Sequence, residues 1–227
     1  MVTLAPADQQ TLNDQPIDGD QPGTVLRDFE TVLAFIDDHI TTVSPKHNLF
    51  SMGSLAPLND QMTHPMQMAL KRPQQRAYAH LHALYLLLRA TGLAYVTGAE
   101  NKPRLALDAD GLASWRPLNA TERYFTLLET WLLRAKSEII GERPKPFQSP
   151  IADWDGFFRR IPDKGLRIAG DKKEEERLAY VPGLLTVAML ELFGLVTVQH
   201  GKPEPGKGWR IVEIHRRPTC AGELSIS

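Results

Sequence analysis

The sequence predicts an α+β fold, mainly helical with small β-hairpins, and three observations carry that prediction. Apolar residues recur at helical spacing in several separate stretches. Twice an apolar helix runs into a glycine and then a leucine that begins a β-type run. Ala90-Thr-Gly-Leu-Ala-Tyr-Val96 and Leu192-Phe-Gly-Leu-Val-Thr-Val198 match in role at every position. Each run is followed by a glycine-bearing turn and a returning strand, and then by a helix-start signal, Asp108-Ala-Asp-Gly111-Leu112 or Thr219-Cys-Ala-Gly222-Glu-Leu224. Helices followed by a two-stranded ribbon describe a winged helix, so the expected architecture is two winged-helix-like domains in tandem.

The elements follow in order. Residues 1–23 are rich in Asp, Gln, Pro and Gly without aliphatic periodicity and read as a disordered acidic tail. The first domain, 24–141, opens with Val25, Leu26, Phe29, Val32, Leu33 and Ile36 at helical spacing, Thr24 as N-cap and Pro45 as the stop. A short helix is expected around Leu58–Met62. A long one spans Ala77–Thr91, with Tyr78, Leu81, Leu84, Tyr85, Leu87 and Leu88 as a broad buried face and Gly92 closing it in the left-handed region. Strands at 93–96 and 104–107 follow, then a helix opened by Asp108. Asn119-Ala-Thr-Glu122 is a capping box that launches Ala120–Ala135. Gly141 and the prolines at 144, 146 and 150 mark the boundary. The second domain, 150–227, repeats the plan: helices at 151–161, 172–179 and 182–193, a strand at 195–198, a Gly/Pro/Lys loop at 201–208 and a strand at 209–214.

Composition narrows the class. The 227 residues are 42% hydrophobic with a mean hydropathy of −0.27, an ordinary globular balance. No run approaches a membrane span, the first residues lack the pattern of a signal peptide, and the single cysteine, Cys220, excludes an intramolecular disulfide and a thiolate zinc site. These features predict a cytoplasmic protein without membrane partners. The net charge of −1 hides an asymmetry, because residues 1–60 hold two basic and nine acidic side chains while the remainder carries 24 basic and 18 acidic.

The motifs KRPQQ, YLLLRATGL and LNATERYFTLLETWLL, set within residues 55–217, resemble the amino-terminal region of the pRiA-plasmid ORF-three-like family. These are bacterial proteins linked to plasmids and mobile elements. The resemblance implies no catalytic residues and no cofactor. Members of that family are longer, and GELSIS at the end of the chain reads as the start of a continuing helix, so a fragment of a longer protein is expected.

No H-E-x-x-H, G-x-S-x-G or phosphate-loop motif is present, and no metal or other cofactor is expected. His80 and His82 stand two apart on a helix and do not make a metal pair. His64 lies among Met62, Met66 and Met68, which read as core. Glu174, Glu175 and Glu176 read as a solvated face. The expected function is therefore non-enzymatic: modest binding of double-stranded DNA, as an accessory or regulatory factor of a mobile-element locus. Lys71, Arg72, Gln75 and Arg76 stand at the start of the long helix, where a recognition helix presents side chains. Lys102 and Arg104 lie on the first wing; Lys202, Lys207, Arg210 and Arg216 lie on the second. The helix at 182–193 holds no Arg, Lys, Asn or Gln and is not expected to read bases. The alternative is a protein–protein or homodimerisation module, using the aromatic and leucine side chains of helices 120–135 and 151–161.

Overall fold

A computed structural model of the chain describes residues 16–141 and 150–217. The expected disorder of residues 1–15, the prolines at 144 and 146, the last helix-start signal, Cys220 and the GELSIS ending lie outside those residues. Among the described residues, eight α-helices and two small antiparallel sheets make an α+β structure.

In the first half the order is α1 (Val25–Asp38), α2 (Met52–Asn59), a 3-10 turn at Gln75–Ala77, α3 (Ala79–Ala90), β1 (Ala94–Ala99) and β2 (Lys102–Leu107). α4 (Ala109–Trp115), α5 (Ala120–Leu133) and a 3-10 turn at Ser137–Ile140 follow. The second half comprises α6 (Pro150–Arg160), β3 (Leu166–Arg167), α7 (Lys172–Tyr180), α8 (Leu184–Leu192), β4 (Val196–His200) and β5 (Ile211–Arg216).

The two halves share a strand plan that the sequence shows only in part. β1 and β2 form a hairpin in register from Ala94↔Leu107 to Ala99↔Lys102. Residues 41–43 add a third, short segment on its far edge, where Leu105 N–H donates to the Thr41 carbonyl at 2.8 Å and Val43 N–H to the Pro103 carbonyl at 3.1 Å. In the second half β4 pairs with β5, and β3 adds to the other edge of β5. Each half thus runs helix, short edge segment, helix, helix, hairpin, with the short segment beside the returning strand. Both edge segments are too short to produce a readable alternation.

The helix starts follow local chemistry. Asp108 accepts the Gly111 amide at 2.7 Å, and Asn119 and Glu122 form the expected reciprocal box, at 3.0 and 2.8 Å. Thr24 occupies the N-cap position of α1 but makes no cap bond; its hydroxyl donates to buried Asp28 at 2.7 Å. Asp28 also accepts the amide and the hydroxyl of Thr63, at 2.8 and 2.7 Å, so both of its oxygens help hold residues 24 and 63 together. The short helix α2 begins six residues earlier than expected and carries Pro57 within it.

α3 is the central element: His80 and His82 are buried along with every residue from Ala79 to Leu88. It packs along α8 and also touches α1, α5 and β1. The two helices that precede the hairpins therefore face each other across the seam between the halves. One continuous apolar core runs through both halves. α5 seals it: Trp131 stacks on Phe193 at 5.3 Å and meets Trp154 at 4.3 Å, and the Tyr124 hydroxyl donates to the Phe193 carbonyl at 2.8 Å. Phe157 of α6 is also fully buried. Of the side chains expected to serve a dimer, Tyr124, Trp131 and Phe157 are buried within the chain, while Phe125 and Leu133 are exposed.

Residues 16–23, grouped by composition with the disordered tail, are packed in part: Ile17 lies against the core, while Pro16, Asp18, Asp20 and Gln21 are exposed. Pro22 and Gly23 are buried against the turn at Phe193–Gly194, and Arg217 donates to the Pro22 carbonyl. The space there is so tight that a side chain at Gly23 or Gly194 would overlap the facing backbone.

Candidate functional site

The basic segments from the two halves meet at a backbone joint. Gly206 N–H donates to the Ala69 carbonyl at 3.0 Å, and Ala69 and Pro205 form a parallel bridge. Lys71 and Arg72 follow two and three residues after Ala69, and Lys207 follows Gly206. Lys71, Arg72, Lys202 and Lys207 are exposed, and neither Lys71, Arg72 nor Lys202 pairs with a carboxylate among the described residues. Four cations from two segments well over a hundred residues apart in sequence thus lie around one seam.

The other sequence-predicted residues are placed differently. Gln75 is 1% exposed; its side-chain oxygen accepts the Phe50 amide at 2.6 Å and its nitrogen contacts His82 at 3.1 Å, so it is removed from any solvent-facing set. Arg76 is exposed on the 3-10 turn, ahead of α3 rather than within it. Arg210 is bidentate to Glu175, at 3.1 and 3.2 Å, and also bonds Glu204 at 3.1 Å. The Arg210 hydrogen bonds hold the Glu175 carboxyl below its ordinary value, outweighing the effect of partial burial. Arg216 bonds Asp163 at 2.6 Å. Lys102 and Arg104 are exposed on β2, in the other sheet. The expected solvated face at 174–176 is partly engaged as well: Glu174 pairs with Arg160 at 2.5 Å and Glu175 with Arg210, leaving Glu176 exposed. Because α3 is enclosed and α8 packs on it, neither helix is presented to a groove, and base reading by the start of a long recognition helix does not fit this packing.

A cleft of about 660 Å³ lies beside the joint, lined by residues of both halves, among them His64, Gln67, His80, Glu191, His200 and Lys202. One wall is a cluster the sequence reading missed. Glu191, the one charged residue of α8, has 14% of its side chain exposed. His80 of α3 sets Nε2 at 2.8 Å from one of its oxygens, and His200 of β4 sets Nε2 at 2.9 Å from the other. Trp209, buried two residues ahead of β5, donates its indole N–H to His200 Nδ1 at 3.3 Å and meets the His80 ring at 5.0 Å. An indole nitrogen only donates, so His200 Nδ1 accepts and its Nε2 carries the proton toward Glu191. His80 Nδ1 is buried without a partner. Burial acts to raise the Glu191 carboxyl, but the bonds from His200 and His80 prevail and hold it at about 2. The available sequence signal was a single glutamate in the otherwise apolar run LLTVAMLEL; nothing local pointed to its partners.

Comparison with protein-family models, with curated proteins and with solved structures returns no match.

Proposed function

We propose that the chain is a non-enzymatic tandem winged-helix protein that binds the phosphate backbone of double-stranded DNA through a basic ridge shared by its two halves. The observation that carries the reading is the Gly206–Ala69 joint, which brings Lys71 and Arg72 beside the loop that holds Lys202 and Lys207. The winged-helix reading is supported by the repeated order of helix, edge segment, two helices and hairpin, with the edge segment beside the returning strand in both halves. Exposed lysines on a loop meet phosphates without reading sequence, and each neutralised phosphate releases counterions. With α3 and α8 enclosed, the binding is sequence-independent and strongly salt-dependent. An accessory or regulatory place at a mobile-element locus follows from the family resemblance.

Fluorescence anisotropy on a long labelled duplex at low salt tests this. The wild type binds, unrelated duplexes bind equally, and Lys71→Glu combined with Lys207→Glu weakens binding by at least about tenfold. Absence of binding at low salt, or equal binding by the double variant, overturns the reading.

A further inference from the structure

We propose that His80, Glu191 and His200 form a site for a divalent transition-metal ion of the zinc class, opening on the cleft between the two halves. Two imidazole nitrogens and a carboxylate are the donor set that suits zinc, and three protein ligands leave one coordination position for water or a small ligand. The three side chains converge from α3, α8 and β4, and their donor atoms all lie within 4.8 Å of one another. His80 is fixed by the buried helix α3 and Glu191 by α8, while His200 is partly exposed, which gives an ion a path from solvent. All three residues line the 660 Å³ cleft, so the remaining position has room.

An ion at this place displaces defined hydrogen bonds. Both Nε2 atoms face the Glu191 carboxylate, the Trp209 indole takes the other nitrogen of His200, and His80 Nδ1 is buried without a partner. The cluster sets one largely buried carboxylate between two imidazole rings. An ion bound at both Nε2 atoms takes the place of the two N–H groups that now face Glu191. Each histidine then carries its proton on Nδ1. On His80 that atom has no present partner. On His200 the new N–H opposes the indole N–H of Trp209, which must turn away. Trp209 is thus both a restraint on binding and a reporter of it.

The test uses the untagged full chain, titrated with Zn²⁺ by calorimetry and with Co²⁺ by visible absorption and tryptophan fluorescence. One ion binds per chain, the cobalt complex shows the intense bands of four- or five-coordination, and Trp209 emission changes in step. His200→Ala, at a partly exposed position that folding tolerates, weakens binding by about tenfold or more. Trp209→Phe removes the opposing donor and tightens binding by roughly tenfold, at the lower end of what outer-shell changes do. Excess Mg²⁺ or Ca²⁺ does not compete, because neither favours imidazole. Zinc binding that is the same in wild type and His200→Ala, or cobalt bands that stay at the weak intensity of the six-coordinate aqua ion, overturns the proposal. Weaker binding by Trp209→Phe with unchanged thermal stability also counts against it.

Discussion

The amide of Gly206 donates to the carbonyl oxygen of Ala69 at 3.0 Å, joining the loop of the second hairpin to the first half of the chain. Gly206 reaches this geometry with φ at +75°, in the left-handed region that side chains with a Cβ enter at a cost of roughly 1–2 kcal/mol. A β-branched residue there is expected to loosen the joint and separate Lys207 from Lys71 and Arg72. For Gly206→Val the prediction is a several-fold loss of duplex affinity with a fall in Tm of only a few degrees, read by anisotropy and thermal unfolding.

The paired glycines that end α3 and α8 are expected to respond differently to the same change. Both have positive φ, +80° at Gly92 and +70° at Gly194. A Cβ at Gly92 meets nothing within 4 Å, whereas at Gly194 it would overlap the Pro22 carbonyl and the Gly23 amide. Gly92→Ala should cost about 1–2 kcal/mol, the backbone term alone. Gly194→Ala should cost distinctly more or expel residues 16–23 from their seat, read as a larger drop in Tm and new proteolytic cleavage near Pro22.

Arg210 is predicted to matter for stability rather than for DNA. Its guanidinium grips Glu175 and Glu204, tying β5 and its preceding loop to α7. Arg210→Ala should destabilise by about 1–3 kcal/mol, in the range of charge-assisted hydrogen bonds in a partly buried site. Duplex affinity should change far less than in Lys71→Glu or Lys207→Glu. A larger effect on DNA than on Tm would assign Arg210 to the ridge.

Acid should release the Glu191 cluster in the metal-free protein. The folded carboxyl sits at about 2, below its ordinary value near 4.5, so the unfolded chain binds this proton more readily. Its contribution to stability is complete above the ordinary value and is lost as pH falls through that value toward 2. Denaturant unfolding between pH 6 and pH 2.5 (about the range the carboxyl spans) should show a steeper loss in wild type than in Glu191→Gln. Parallel curves would mean that the two histidines do not hold the carboxylate.

How much of this was legible in the sequence depended on how local each signal was. The helix–Gly–Leu–hairpin repeat reads from residues 90–96 and 192–198 because periodicity, a C-terminal glycine and a change to β-type residues all act within a few positions. Asp108 and the Asn119–Glu122 box are equally local, and both are found. The edge segments 41–43 and β3 were invisible, since their strand character comes from a neighbour and not from their own residues. Gln75 looked like a solvent-facing donor because its neighbours are charged, yet its amide fills a buried polar gap between Phe50 and His82. The His80–Glu191–His200 cluster spans 111 positions between its first two members, and only the packing of α3 on α8 brings them together.

The shared basic ridge is tested most directly by the salt dependence of duplex binding. Four cations on the ridge predict a slope of log K against log salt of about −3 to −4 for the wild type. Lys71→Glu together with Lys207→Glu should flatten the slope by about 2. A wild-type slope near zero, or one that the double variant leaves unchanged, would contradict a phosphate-binding surface built from both halves.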